Sequence, residues 1–122
     1  MPTNGSIALH RIWLLKRGEV WWVNFDPAIG SEIAKRRPAI ILNNDAANRN
    51  LARVMVIPLT SKTARLYPGE ALVTLTNKQS KAMADQMMAA DKRSLTDKIG
   101  QVSRADMEAV EDAIRVHLGL AM

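Results

Sequence analysis

The chain has 122 residues, 48% of them hydrophobic and 24% charged, which gives room for one domain with its own core and excludes a disordered or collagen-like chain. Its 17 Lys+Arg exceed its 12 Asp+Glu for a net charge of +5, and the excess is uneven: residues 1–98 carry 15 basic and 8 acidic side chains, residues 99–122 carry 2 and 4. A basic main body favours an anionic partner, either a nucleic acid or an acidic protein segment. With no cysteine, disulfides, thiol nucleophiles and Cys-based metal sites are excluded. No run approaches the roughly 18 apolar residues of a membrane span, and the start lacks the basic, apolar and small-residue regions of a secretion signal. The expectation is a soluble, cytoplasmic protein with no membrane role.

In chain order, residues 1–15 read as an N-terminal extension and residues 16–122 as the domain. The extension pairs a polar patch at Thr3–Ser6 with an apolar stretch in which Ala8, Leu9, Ile12 and Leu15 can line one face of a short helix. From Glu19 the period is two, with Val20, Trp22 and Asn24 on one face and Trp21, Val23 and Phe25 on the other. The runs Pro38–Leu42, Val54–Leu59 and Ala71–Thr76 are further strands, and Asp85–Ala89 and Lys98–Val102 are shorter candidates. Ala46–Arg49 reads as a short helix capped by Asp45. The tail is a longer helix: Ser103 caps it with Asp106 at the third position, Met107, Val110, Ile114 and Leu118 form its apolar stripe, and Gly119 stops it. The fold class is mainly β with some α, a small antiparallel barrel followed by a C-terminal helix.

Three places carry polar chemistry. The segment Gly30–Pro38 is basic and leads straight into a strand. It is either a solvated loop or a device that fixes Arg37 at a rigid junction, where its fork of donors grips a phosphate while Lys35 and Arg36 steer it. Thr60, Ser61 and Lys62 end the third strand, either as turn formers or as hydroxyls that bind a phosphate or orient a 2′-hydroxyl. Asp85 and Gln86 lie in a Met- and Ala-rich run, where a carboxylate needs a partner, structural or catalytic. His10 and His117 are the only histidines, so the chain is poorly supplied for a metal site or a paired-imidazole mechanism, and neither metal nor other cofactor is expected.

Taken together, Lys16–Pro27, Gly30-Ser31-Glu32, Arg37–Ile41, Asn44-Asp45, Asn48-Arg49, Val56–Ser61, Asp85-Gln86 and Asp91–Arg93 closely resemble the MazF/PemK toxins in order and spacing, over about residues 16–120. The resemblance implies an SH3-like barrel of the PemK–CcdB type with a C-terminal helix, acting as a homodimer. It further implies a type II toxin–antitoxin endoribonuclease that cuts single-stranded RNA, chiefly messenger RNA, and an acidic antitoxin protein as partner. By the same resemblance Arg37 and Thr60 are the catalytic arginine and hydroxyl, Asp85 matches an aspartate that acts as base in some members, and Gln86 a substrate-contacting amide. Ser31 and Glu32 fall on the loop that gates the RNA groove, and Lys35, Arg36 and Ser61 join the RNA-binding set. The chain departs from the pattern at Met83, where members using the aspartate as base carry arginine, and at Ser31, where some carry histidine. The weight therefore falls on the Arg37–Thr60 pair. The reading from a different class is a non-catalytic toxin of the same fold that poisons a protein target such as gyrase.

RNA brings its own nucleophile, so an enzyme needs only to hold the 2′-oxygen in line with the phosphorus and stabilise the charge that builds on the phosphoryl oxygens. The expected products are a 2′,3′-cyclic phosphate and a 5′-hydroxyl end, without a metal ion.

Overall fold

The computed structural model describes residues 14–25 and 36–121. The helical face assigned to Ala8, Leu9 and Ile12 lies outside them. Leu15, assigned to the extension, is 1% exposed and packs against Trp21, Val23 and Leu95, so the packed body begins no later than this residue.

The period-two stretch forms strand β1 (Glu19–Asn24). It pairs on one edge with β2 (Arg36–Ile41), Trp22 opposite Pro38 and Val23 opposite Arg37. On the other edge it pairs with β7 (Leu95–Gln101) through a ladder with two register shifts. Such irregularities add local twist and help a sheet to curl. β3 (Arg53–Thr60) continues the sheet beyond β2, followed by β5 (Lys78–Met83) and β4 (Glu70–Leu75), in the order β4-β5-β3-β2-β1-β7, with β6 (Met88–Asp91) also on β3. Every pairing is antiparallel. The result is a curled half-barrel.

Alternation gives the sheet two apolar faces. Val20, Ile40, Ile57, Leu59, Ala71 and Val73 pack on Met107, Val110 and Ala113 of helix α2 (Arg104–Leu118). Trp21, Val23, Ala39, Ile41, Val54 and Val56 form the second core with Leu15, Ala90 and Leu95. Beneath it Glu19, 6% exposed, accepts from the Trp21 indole N–H at 3.0 Å and pairs with Lys98 at 3.0 Å. A buried carboxylate is tolerable only with such partners.

Four expectations are corrected. The segment expected as a strand at Asp85–Ala89 begins as a 3-10 turn over Ala84–Gln86, and β6 starts at Met88. The reason lies in β3. Leu42 N–H donates to the Met55 carbonyl, so by antiparallel alternation the odd-numbered β3 residues bond toward β2 and Pro58 faces the β5–β6 edge. There it has no N–H to offer. The strand alongside breaks at that point: Ala82 pairs with Leu59 and Met88 with Val56, leaving three extra residues to loop out.

Strand β5 was missed because its outer half, Lys78-Gln79-Ser80, is polar; it is joined to β4 by a two-residue turn in which Thr76 and Asn77 both have positive φ, the form that matches strand twist. The short helix α1 (Asp45–Asn50) is capped by Asn44, whose side chain accepts from Ala47 N–H at 2.8 Å. Asp45 instead accepts from the Arg17 amide at 2.9 Å. In α2 the expected cap Ser103 and stop Gly119 (φ 69) are present, but the buried stripe is Met107, Val110 and Ala113, with Leu118 52% exposed at the last turn. Asp106 also accepts the Thr74 amide of β4 at 2.8 Å.

Candidate active site

The site forms where the β2–β3 ladder stops. The last pair is Ala39 with Pro58, and extending the same register by two places sets Arg37 across from Thr60. The strands part there. Between them lies a cleft of about 360 Å³ lined by Trp22, Arg37, Pro38, Leu59, Thr60, Ser61, Lys62 and Ser80. The rigid φ of Pro38 and its pairing with Trp22 hold the arginine's backbone in the sheet while its side chain stands at the opening.

Arg37 is half-buried, and among the described residues no hydrogen bond or ion pair holds its guanidinium. Among the described residues nothing competes for its five donors, and a bidentate grip on a phosphate suits them. Thr60 is half-buried at the facing strand end, and its Oγ1 accepts from the Lys62 amide at 3.2 Å. With one lone pair engaged by that amide, the hydroxyl proton is left to donate into the cleft. Ser61 and Lys62 are exposed beside it, and Trp22, Pro38 and Leu59 supply an apolar floor on which a base can lie.

The other expected residues fall elsewhere. Arg36 is adjacent but engaged: its guanidinium lies 4.7 Å from the centroid of the Trp22 ring, donates to Asp97 at 2.5 Å and reaches Thr96 at 3.2 Å. Asp85 and Gln86 are exposed in the 3-10 turn, and neither lines the cleft. The Gln86 amide donates to the Met83 sulfur at 3.5 Å. Ser31, Glu32 and Lys35 lie outside the described residues. Three lining residues were not singled out from the sequence. Trp22 and Leu59 were read only as parts of strands, although Trp22's period-two partner Asn24 marked a polar face; Ser80 belongs to the strand that was missed. Among the described residues no group of three or more His, Asp or Glu side chains is placed to hold a metal ion, and no helix is long and apolar enough to cross a membrane.

A guanidinium and a hydroxyl facing each other across an open, partly apolar cleft can bind a phosphodiester and stabilise charge on it. Comparison with known proteins points the same way. Residues 16–118 match the model of the PemK-like, MazF-like toxin of type II toxin–antitoxin systems. The chain is 36% identical over 116 residues to the endoribonuclease MazF9 of Mycobacterium tuberculosis, covering 88% of this chain and 98% of that one. It is 32% identical over 104 residues to the endoribonuclease toxin MazF of Escherichia coli, covering 84% and 92%. Among solved structures it is similar to a mycobacterial endoribonuclease in complex with its cognate antitoxin (TM-score 0.73, 27% identity, 88% and 98% covered). The MazF of Deinococcus radiodurans is similarly alike (TM-score 0.74, 27% identity, 88% and 98% covered). The half-barrel, its C-terminal helix and the sequence match agree: the chain belongs to the PemK-like, MazF-like family of type II toxin–antitoxin toxins.

Proposed function

We propose that the cleft between Arg37 and Thr60 is where this endoribonuclease toxin cuts single-stranded RNA. The observation that carries the reading is a half-buried guanidinium with no protein partner among the described residues, set across from a strand-end hydroxyl. RNA must enter unpaired, because a duplex buries its base edges and fixes its backbone out of line. The 2′-oxygen attacks the phosphorus and the bond to the 5′-oxygen breaks, leaving a 2′,3′-cyclic phosphate and a 5′-hydroxyl; the proton lost at the first oxygen and the one gained at the second exchange with water. Arg37, always cationic, stabilises the charge that grows on the phosphoryl oxygens, and Thr60 donates to one of them. No metal ion takes part.

Ser61 and Lys62 hold the backbone on the Thr60 side. Arg36, Lys35, Ser31 and Glu32 extend the contact along the segment that precedes and opens β2. Asp85 and Gln86, exposed in the turn beside β3, meet flanking nucleotides, and Asp85 takes no proton in the reaction. The working form is a cytoplasmic homodimer, and the partner antitoxin is acidic, which the basic excess of residues 1–98 favours.

The test is to incubate the purified, antitoxin-free protein with a long single-stranded RNA in EDTA and map the ends. Discrete cuts with cyclic phosphate ends, lost in Arg37→Ala, are expected. Intact RNA from folded protein overturns the reading and favours a toxin that binds without cutting.

A further inference from the structure

Across the β3–β5 pairing, Thr60 stands opposite Lys81. Lys81 is 8% exposed, an unusual place for a lysine in a protein of this size. Its ammonium pairs with Glu70 at 3.0 Å, donates to the Arg65 carbonyl at 2.9 Å and lies 5.6 Å from the centroid of the Tyr67 ring. Glu70 in turn accepts from the Tyr67 amide at 2.8 Å. All three contacts fall on the segment that leaves the cleft at Thr60 and rejoins the sheet at Glu70. Within residues 61–66 the remaining hydrogen bonds are local: Lys62 N–H to Thr60 Oγ1, and the Arg65 guanidinium to the Tyr67 hydroxyl at 3.4 Å. Among the described residues, the Lys81 ammonium makes the one hydrogen bond that reaches 61–66 from outside the 60–70 stretch.

We propose that Lys81 is a positioning residue for RNA: by tying the Arg65 carbonyl to the sheet it sets the path of residues 61–67 as they leave the cleft, and so the choice of base beside the scissile phosphate. The inference rests on the nuclease reading above. Ser61 and Lys62 line the cleft at one end of this segment, while Arg65, Leu66 and Tyr67 are exposed further along it. A loop held by one buried cation presents one set of groups to a nucleotide; released, it presents many, and discrimination between bases falls. Burial raises the Glu70 carboxyl, but the hydrogen bonds from the Tyr67 amide and Lys81 outweigh it and hold the group below its ordinary value.

Lys81→Met alone strands the Glu70 carboxylate and risks misfolding. The decisive variant is therefore Lys81→Met with Glu70→Leu, which removes the tie and the stranded charge together. Steady-state cleavage of a single-stranded RNA is measured with the cut sites mapped, alongside hydrogen exchange of the amides of residues 61–66. The double variant is expected to raise KM about tenfold with kcat changed less than about twofold, to cut at additional sites differing in one base, and to exchange faster in 61–66 alone. Unchanged sites and KM, or unchanged exchange in that segment, overturn the role of Lys81. Failure of the parent chain to cut any RNA overturns the nuclease reading, and this inference with it.

Discussion

The two ends of β3 make opposite use of polar side chains. At the Arg53 end they bind one another. Lys92, 4% exposed, donates to the backbone carbonyl of the fully buried Asn48, whose side-chain amide donates to the Asn43 carbonyl at 3.1 Å. Asn43 accepts the Met55 amide at 3.0 Å, Asn44 caps α1, and Arg93 forks onto Asp91 at 2.9 and 3.0 Å. The Asn48 side-chain oxygen is the exception, a buried acceptor without a partner among the described residues. At the Thr60 end, apart from the Lys81–Glu70 pair, the Arg37 guanidinium and the exposed Ser61 and Lys62 side chains have no protein partner among the described residues. Polar groups that satisfy each other hold a fold, and polar groups that the fold positions and leaves open are available to a ligand.

That contrast is broken or sharpened by substitution at each end. The largest effect is expected from Arg37→Ala, a loss of about a thousandfold in kcat/KM with the melting temperature little changed, since among the described residues its side chain makes no hydrogen bond or ion pair. A clear drop in melting temperature would place Arg37 with the structural set. Thr60→Val keeps shape and removes the hydroxyl, and should lower kcat/KM about a hundredfold, with a loss of no more than about 1 kcal/mol in stability because the exposed Lys62 amide loses its acceptor.

At the other end, Lys92→Met should leave cleavage by folded protein intact and cost about 2 kcal/mol in denaturant unfolding, because the Asn48 carbonyl loses a buried donor; a neutral result would show that end to be as permissive as the cleft. The smallest effect concerns acid. The Arg93 guanidinium holds the Asp91 carboxyl at about 2, below its usual 3.8. A depressed carboxylate stabilises the fold at pH values above its unfolded value and ceases to as pH falls through the folded one. Asp91→Asn should therefore flatten the fall of stability between about pH 4 and 2, read from melting curves, while the pH dependence of cleavage stays put.

Much of this architecture was legible in the chain. β1 to β4 follow from alternation and branched side chains, and α2 from its cap, its stripe and Gly119, because each signal is local. What escaped depends on partners distant in sequence. β5 is polar over its outer half and is a strand because β3 and β4 flank it. The break at Ala84–Gln86 answers to Pro58, on another strand, and the exposure of Leu118 shows only once the helix is placed on the sheet. The same division runs through the site. Arg37 and Thr60 could be named from the resemblance and from their junctions, but that they face one another follows from a register, and the engagement of Arg36 by Asp97 and Trp22 from a fold in hand.

The Asp106 carboxylate, in the first turn of α2, takes the Thr74 amide on the outer strand β4. An edge strand with open amides invites a further strand from another molecule. By occupying one of those amides with a charged side chain, the chain makes that border of its sheet a poorer template for edge-to-edge stacking. A toxin that persists in the cell apart from its antitoxin would thereby be guarded against aggregation on that side, with the opening at Thr60 left untouched.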